Sequence, residues 1–242
     1  GTWSWSENVN SDGPATDISE PQVGFDGAGN AFAIWIENNG TTIDMKANRY
    51  VVGSGWGTPN FLETGAGEVL TPKLAVDASG NAVAIWRQFD GASTSLYANR
   101  FVPGTGWGSP VQVSGNTGGG AGLPRVAAGP GGTFVASWNQ NNGANYQMMV
   151  SRYGSGAWSQ PVNLSAGFTV GGGDSGFVGT DASGRAAVVW QQYGGVLPTR
   201  LLVSWWNEAA GWTAPARVDT SPGPNSPRLA DFAMNGAAQG IA

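Results

Sequence analysis

The chain has 242 residues, with 11 Lys+Arg against 16 Asp+Glu for a formal net charge of −5, and neither histidine nor cysteine. That balance argues against nucleic acid, whose affinity draws on clustered Lys and Arg. It also removes disulfides, thiolate metal sites and the commonest general base and metal ligand. No apolar run approaches the ~20 residues that span a bilayer, so membrane insertion is not expected. The chain opens at Gly1 rather than Met, and a removed leader with a secreted or cell-surface location is the expectation.

Residues 1–10 carry Trp3-Ser-Trp5-Ser-Glu-Asn-Val9, which matches Gly106-Trp107-Gly-Ser-Pro-Val111. They read as the last strand of a repeat that lacks its other three. The full pattern begins at Pro21-Gln-Val-Gly-Phe-Asp26 and runs through a Gly-Ala-Gly-Asn turn to Ala31-Phe-Ala-Ile-Trp35. It returns from Pro72 to Trp86, from Pro124 to Trp138 and from Gly176 to Trp190, and a fifth copy opens at Pro227-Arg-Leu-Ala. The tryptophans stand 51, 52 and 52 residues apart. A fixed period near 50 means stacked or ring-arranged supersecondary units.

The second copy shows the unit. Residues 72–76 form a first strand, Asp77 to Asn81 a turn, 82–88 a second strand and Asp90-Gly91 a hairpin turn. A third strand covers 94–101, Gly104 to Trp107 turn the chain, and Val111 to Val113 lie in a fourth strand. The second strand does not alternate: Ala31-Phe-Ala-Ile-Trp35 and Ala186-Ala-Val-Val-Trp190 are apolar throughout. Such a run in an antiparallel sheet demands burial on both faces, which a blade sandwiched between blades provides. The expected fold is a single all-β domain over 1–242, a five-bladed β-propeller of ~51-residue four-stranded repeats. Its blades start near residues 21, 72, 124, 176 and 227, and residues 1–10 complete the last one. The closing blade is thus a composite of the N- and C-termini.

Three series of residues recur with the repeat. The turn aspartates Asp26, Asp77 and Asp181 are suited to bonding the amides of their own turns. Trp35, Trp86, Trp138 and Trp190 end the apolar strand and read as core. A second tryptophan series, Trp56, Trp107, Trp158 and Trp212 with Trp5 as a fifth member, follows a small-residue turn nearer the surface. An indole face there either serves as a platform for a sugar ring or only wedges adjacent blades apart. Arg49, Arg100 and Arg152 recur in Ala-Asn-Arg-Tyr, Ala-Asn-Arg-Phe and Val-Ser-Arg-Tyr, with Trp205 in the fourth place. Such an arginine either stacks on a neighbouring aromatic ring or faces a ligand. The loops before each first strand carry Asp17, Glu20, Glu68 and Asp174, acids in only some copies. They are a sparse set for a catalytic pair, and solvated loop acids or oxygen ligands for a cation are the favoured readings.

The repeat Asp-x-x-Gly-Asn-Ala-x-Ala-x-Trp, then Ala-Asn-Arg-Tyr/Phe, then Gly-Trp-Gly, resembles repeats of large exported bacterial proteins. These are similar to sialidase-type and lectin-type β-propellers. The resemblance implies architecture over nearly the whole chain. It implies a lectin-like use of Trp56, Trp107, Trp158, Trp212, Arg49, Arg100 and Arg152 between blades. The Ser-x-Asp-x-Gly-x-Thr-Trp box of sialidases is absent. The leading expectation is a non-enzymatic binding module for a glycan or cell-surface partner, with multivalent presentation, no cofactor and no metal. An adhesion scaffold without a small-molecule site and a glycosidase-like enzyme with an axial pocket are the alternatives.

Overall fold

The computed structural model describes residues 6–10, 17–65, 67–89, 91–115, 119–166, 176–194, 197–219, 233–234 and 240–241. The strands fall into four antiparallel sheets, one per repeat. Sheet 1 holds β1 (Asp17–Phe25), β2 (Ala31–Asn38), β3 (Ile43–Val51), β4 (Gly55–Trp56) and β5 (Asn60–Phe61). Sheet 2 holds β6 (Val69–Val76), β7 (Ala82–Phe89), β8 (Thr94–Val102), β9 (Gly106–Trp107) and β10 (Val111–Gln112). Sheet 3 holds β11 (Ala121–Ala128), β12 (Phe134–Asn141), β13 (Tyr146–Gly154), β14 (Ala157–Trp158) and β15 (Val162–Asn163). Sheet 4 holds β16 (Phe177–Thr180), β17 (Ala186–Gly194), β18 (Leu197–Asn207), β19 (Gly211–Trp212) and β20 (Ala216–Arg217). A short pair, β21 (Ala233–Met234) with β22 (Gly240–Ile241), follows.

The first strands touch in sequence order, β1 against β6, β6 against β11, β11 against β16 and β16 against β21. The sheets are therefore stacked face to face about a line of first strands, as in a propeller. The apolar second strands are buried on both faces as expected: Phe32, Ile34, Val83, Ile85, Phe134, Ala136, Ala186 and Val188 are all inaccessible to solvent. The core tryptophans obey the rule that a buried indole N–H finds an acceptor. Trp86 Nε1 donates to Gln88 Oε1 at 3.1 Å, Trp138 to Gln140 at 3.1 Å and Trp190 to Gln192 at 3.2 Å. In sheet 1 the acceptor is Glu37, 3.3 Å from Trp35, and the buried carboxylate is held by Lys46 at 2.8 Å.

The expected fourth strand is instead two short pairings with the third strand. Pro59, Pro110, Pro161 and Pro215 recur three residues after each outer tryptophan. Proline has no N–H for the ladder, so pairing breaks there and resumes beyond it. Asp17 and Glu20 lie in β1 rather than in a loop, because the first strand starts before the proline. It passes that proline through a bulge: Glu20, Thr71 and Leu123, each preceding Pro21, Pro72 or Pro124, have φ near +49°, +49° and +47°, and the pairing shifts there in β1, β6 and β11.

The two ends of the stack differ. Leu74 and Val76 of β6 pack on the core shared with sheet 1. Their counterparts in β1, Val23 and Phe25, are 62% and 64% exposed. Val9 nevertheless lies against sheet 1: its carbonyl accepts the Asn48 side-chain amide at 2.9 Å. Asn99, the same repeat position in sheet 2, donates to Leu62 O of the preceding sheet at 2.9 Å. Val9 therefore stands where Leu62 stands, two positions beyond the Val9–Val111 match read from the sequence. Trp3 and Trp5 lie outside the described residues.

Candidate functional site

The tight turns between first and second strands are fixed by their aspartates. Asp77 Oδ1 accepts the amides of Ser79 at 2.9 Å and Asn81 at 2.8 Å, and Oδ2 accepts Asn81 Nδ2 at 2.8 Å. Asp26 repeats this with Ala28 and Asn30, and Asp181 with Ser183 and Arg185. Burial pushes the Asp26 carboxyl up, but the bonds from Asn30 and Ala28 and the Arg49 charge outweigh it and hold it below the usual carboxylate range. Asp181 is lowered likewise: burial is overcome by Ser183 and Arg185. Asp77 also receives the Gly132 amide of the next sheet's turn at 3.0 Å. Gly132 has φ +73°, a left-handed conformation that favours glycine in that turn. These acids are structural staples within and between sheets.

Each arginine of the recurring series reaches across to the next sheet. The Arg49 guanidinium lies 5.3 Å from the Phe101 ring centre, Arg100 5.1 Å from Tyr153 and Arg152 4.0 Å from Trp206. Those aromatic rings occupy one repeat position of the third strand, directly after the arginine or its replacement in their own repeat. The outer tryptophans pack edge-on against the same rings: Trp56 on Tyr50, Trp107 on Phe101 and Trp158 on Tyr153, each at 5.6 Å. All four, Trp212 included, are half-buried. Trp212 and Trp206 close over the core between sheets 3 and 4.

Arginine from one sheet and two aromatic rings from the next thus meet at every sheet boundary, and at two boundaries they line an open cleft. Between sheets 2 and 3 a cleft of about 390 Å³ is lined by Arg100, Tyr153, Trp158, Gly156, Ser109 and Gln112, among others. Between sheets 3 and 4 one of about 600 Å³ is lined by Arg152, Trp158, Trp206, Trp212, Gly211 and Gln160, among others. The boundary between sheets 1 and 2 is filled. There Phe32 is wholly buried, 4.8 Å from Phe101 and 6.2 Å from Trp107. Its register partner is Arg49; the same position opposite Arg100 and Arg152 is Val83 and Val135.

At the other end of the sheets, Glu68 lines a third cleft of about 580 Å³ with Thr64, Gln88, Phe89, Tyr97 and Pro110. Nearby, Glu63 is pushed above the usual carboxylate range by burial and by Asp44. The bond it accepts from the Met45 amide matches those that Ser114 and Ser165 accept from Leu96 and Met148 of strands β8 and β13, so its place is a structural one. Among the described residues no three acids converge as a metal site, and Asp174 lies outside them.

The structure therefore brings Arg100 together with Trp158, and Arg152 with Trp158 and Trp212. It leaves Arg49 and Trp107 on a boundary plugged by Phe32, and Trp56 on the outward side of sheet 1. Sequence reasoning missed Tyr153 and Trp206, although the aromatic residue after each arginine was visible in the repeat. It also missed Glu208, which stands in one copy only.

No protein-family model matches the chain, and no curated protein sequence matches it. Solved structures share its fold at low identity. Polysaccharide lyase Uly1 superposes with a TM-score of 0.59 at 10% identity, over 89% of this chain and 52% of that one. The leech intramolecular trans-sialidase gives 0.51 at 9%, over 91% and 54%. An ulvan lyase of polysaccharide lyase family 25 gives 0.50 at 11%, over 83% and 58%. This chain spans little more than half the length of these proteins. The likeness establishes an all-β, propeller-like fold of a kind found in carbohydrate-active proteins.

Proposed function

We propose that the chain is a non-enzymatic binding module, secreted or cell-surface, that recognises glycans at repeated clefts between blades. The observation that carries this is the repetition of one constellation, an arginine facing two aromatic rings, at two open clefts in equivalent places. Aromatic faces suit the apolar face of a sugar ring, while guanidinium and side-chain amides bond its hydroxyls. In this reading the ring has five blades. The C-terminal repeat and residues 1–10 form the fifth. Each site alone is weak, and presenting several together supplies avidity.

Calorimetric titration with a hit from a glycan array tests it, with a stoichiometry above one expected. A single site abolished by Glu68→Gln, with catalytic turnover, would replace it with the enzyme reading. That second reading draws on the Glu68 cleft and on the carbohydrate-active enzymes that share the fold, though fold alone is a poor guide to activity.

A further inference from the structure

We infer that the cleft between sheets 3 and 4 is an acidic-saccharide site, in which Arg152 receives a carboxylate or sulfate of the ligand and Glu208 holds its place until then. The inference rests on the glycan reading above and adds the charge class of the ligand and the residue that selects it.

The three arginines differ in what holds them. Arg49 is 3.8 Å from Asp26, and Arg100 Nη2 donates to Asn81 Oδ1 at 2.8 Å, both partners being turn residues of the arginine's own sheet. The third repeat has Gly129 and Thr133 at those turn positions, and the Thr133 hydroxyl donates to Pro130 O of its own turn. Arg152 meets Glu208 instead, at 3.7 Å and from the neighbouring sheet. The Glu208 side chain is 84% exposed. A pair that loose and solvated is worth little, so an incoming anion displaces the carboxylate at small cost.

The guanidinium is also placed differently. A β-carbon on Gly154 would lie 2.6 Å from Arg152 Nη1, so a side chain there would push the guanidinium out of the place it now takes. The matching residues of sheets 1 and 2 are Val51 and Val102. Arg152 thus reaches the roomier cleft with its planar face on Trp206 and its N–H edge available to fork onto a carboxylate or sulfate. Trp158 and Trp212 supply the walls for the sugar ring.

A glycan array divided into carboxylate-bearing, sulfate-bearing and neutral members, followed by tryptophan fluorescence titration of the hits, tests this. Acidic members should bind about tenfold or more tightly than neutral ones of the same backbone at low salt, with affinity falling as salt rises. The two acidic arms identify which anion is the natural one. Glu208→Gln should strengthen acidic binding about two- to fivefold by removing the competitor. Arg152→Gln should erase the preference, and Arg152→Lys should keep part of it. Gly154→Val should erase it with every charge intact, near-ultraviolet circular dichroism confirming the fold. Hits confined to neutral members, or a preference that survives both Arg152→Gln and Gly154→Val, would overturn the inference and leave the glycan reading standing. An array without hits in any class overturns both.

Discussion

The boundary between sheets 1 and 2 and that between sheets 3 and 4 are built from the same repeat positions and do opposite things. At the first, Phe32 fills the space beneath Phe101 and Trp107, with Ala82 opposite. At the second, the same two positions hold Val135 and Ala186, and no phenylalanine enters from either side. The middle boundary has Val83 from one sheet and Phe134 from the other, and its cleft is the smaller of the two open ones. A phenylalanine opposite the arginine, as Phe32 opposite Arg49, thus goes with aromatic rings spent on packing, and a valine there, Val83 or Val135, with rings left lining a cavity. Interiors pack too tightly for both.

The largest expected effect follows from that contrast. Phe32→Ala should cost about 3–5 kcal/mol in urea unfolding, as a large-to-small change in a filled core. A cost below about 1 kcal/mol would mean that this boundary is not packed as described. The reverse change, Val135→Phe, should destabilise by about 1–3 kcal/mol through overpacking and displace Trp206 or Trp212, seen as weakened ligand quenching of tryptophan fluorescence. Unchanged quenching would dissociate the cleft from the residues beneath it.

A second pair sharpens the comparison at the open end of the stack. Asn48→Ala and Asn99→Ala each leave a carbonyl of the adjoining outer strand without its donor, Val9 in one case and Leu62 in the other. Each should cost about 1–3 kcal/mol. Equal losses would mean that the N-terminal segment is docked as firmly as an internal strand. A silent Asn48→Ala beside a costly Asn99→Ala would break the equivalence, and with it the case for a ring closed through residues 1–10.

The smallest effect concerns pH. Asp26 and Asp181 titrate below the ordinary carboxylate range when folded. A carboxyl whose pKa is depressed by folding stabilises the native state above its unfolded pKa and loses that contribution as pH falls through the folded value. The melting temperature should therefore decline on acidification below about pH 4, with a shallower slope in Asp181→Asn. Glu63 runs the other way. Its raised pKa favours the protonated form, so its charge opposes folding at neutral pH, and Glu63→Gln should be harmless or mildly stabilising at pH 7 and lose that advantage in acid. A marked loss at pH 7 would contradict that sign.

Much of the fold was legible because a repeat states its own boundaries. The apolar second strands and the core tryptophans could each be read four times over, and the turn aspartates three times. The proline that splits every fourth strand was equally legible, in Pro59, Pro110, Pro161 and Pro215, and was overlooked. The candidate site was half legible: Arg100, Arg152, Trp158 and Trp212 stood out by recurrence. Arg49 recurred just as clearly, yet it faces a boundary filled by Phe32. The rank among boundaries was hidden because it depends on residues about fifty positions apart, such as Phe32 with Ala82, whose side chains meet only when sheets stack.

By itself the sequence determined the class of element, the period and the burial of each second strand, since those follow from local patterning, turn chemistry and the two-residue period of a strand. The tertiary structure decided the rest. It set which arginine answers to a turn residue and which to Glu208, which glycine makes room for a guanidinium, and which boundary stays open. Those outcomes depend on volumes and charges that meet only once strands pair and sheets stack, as when Glu208 of one sheet comes to Arg152 of another.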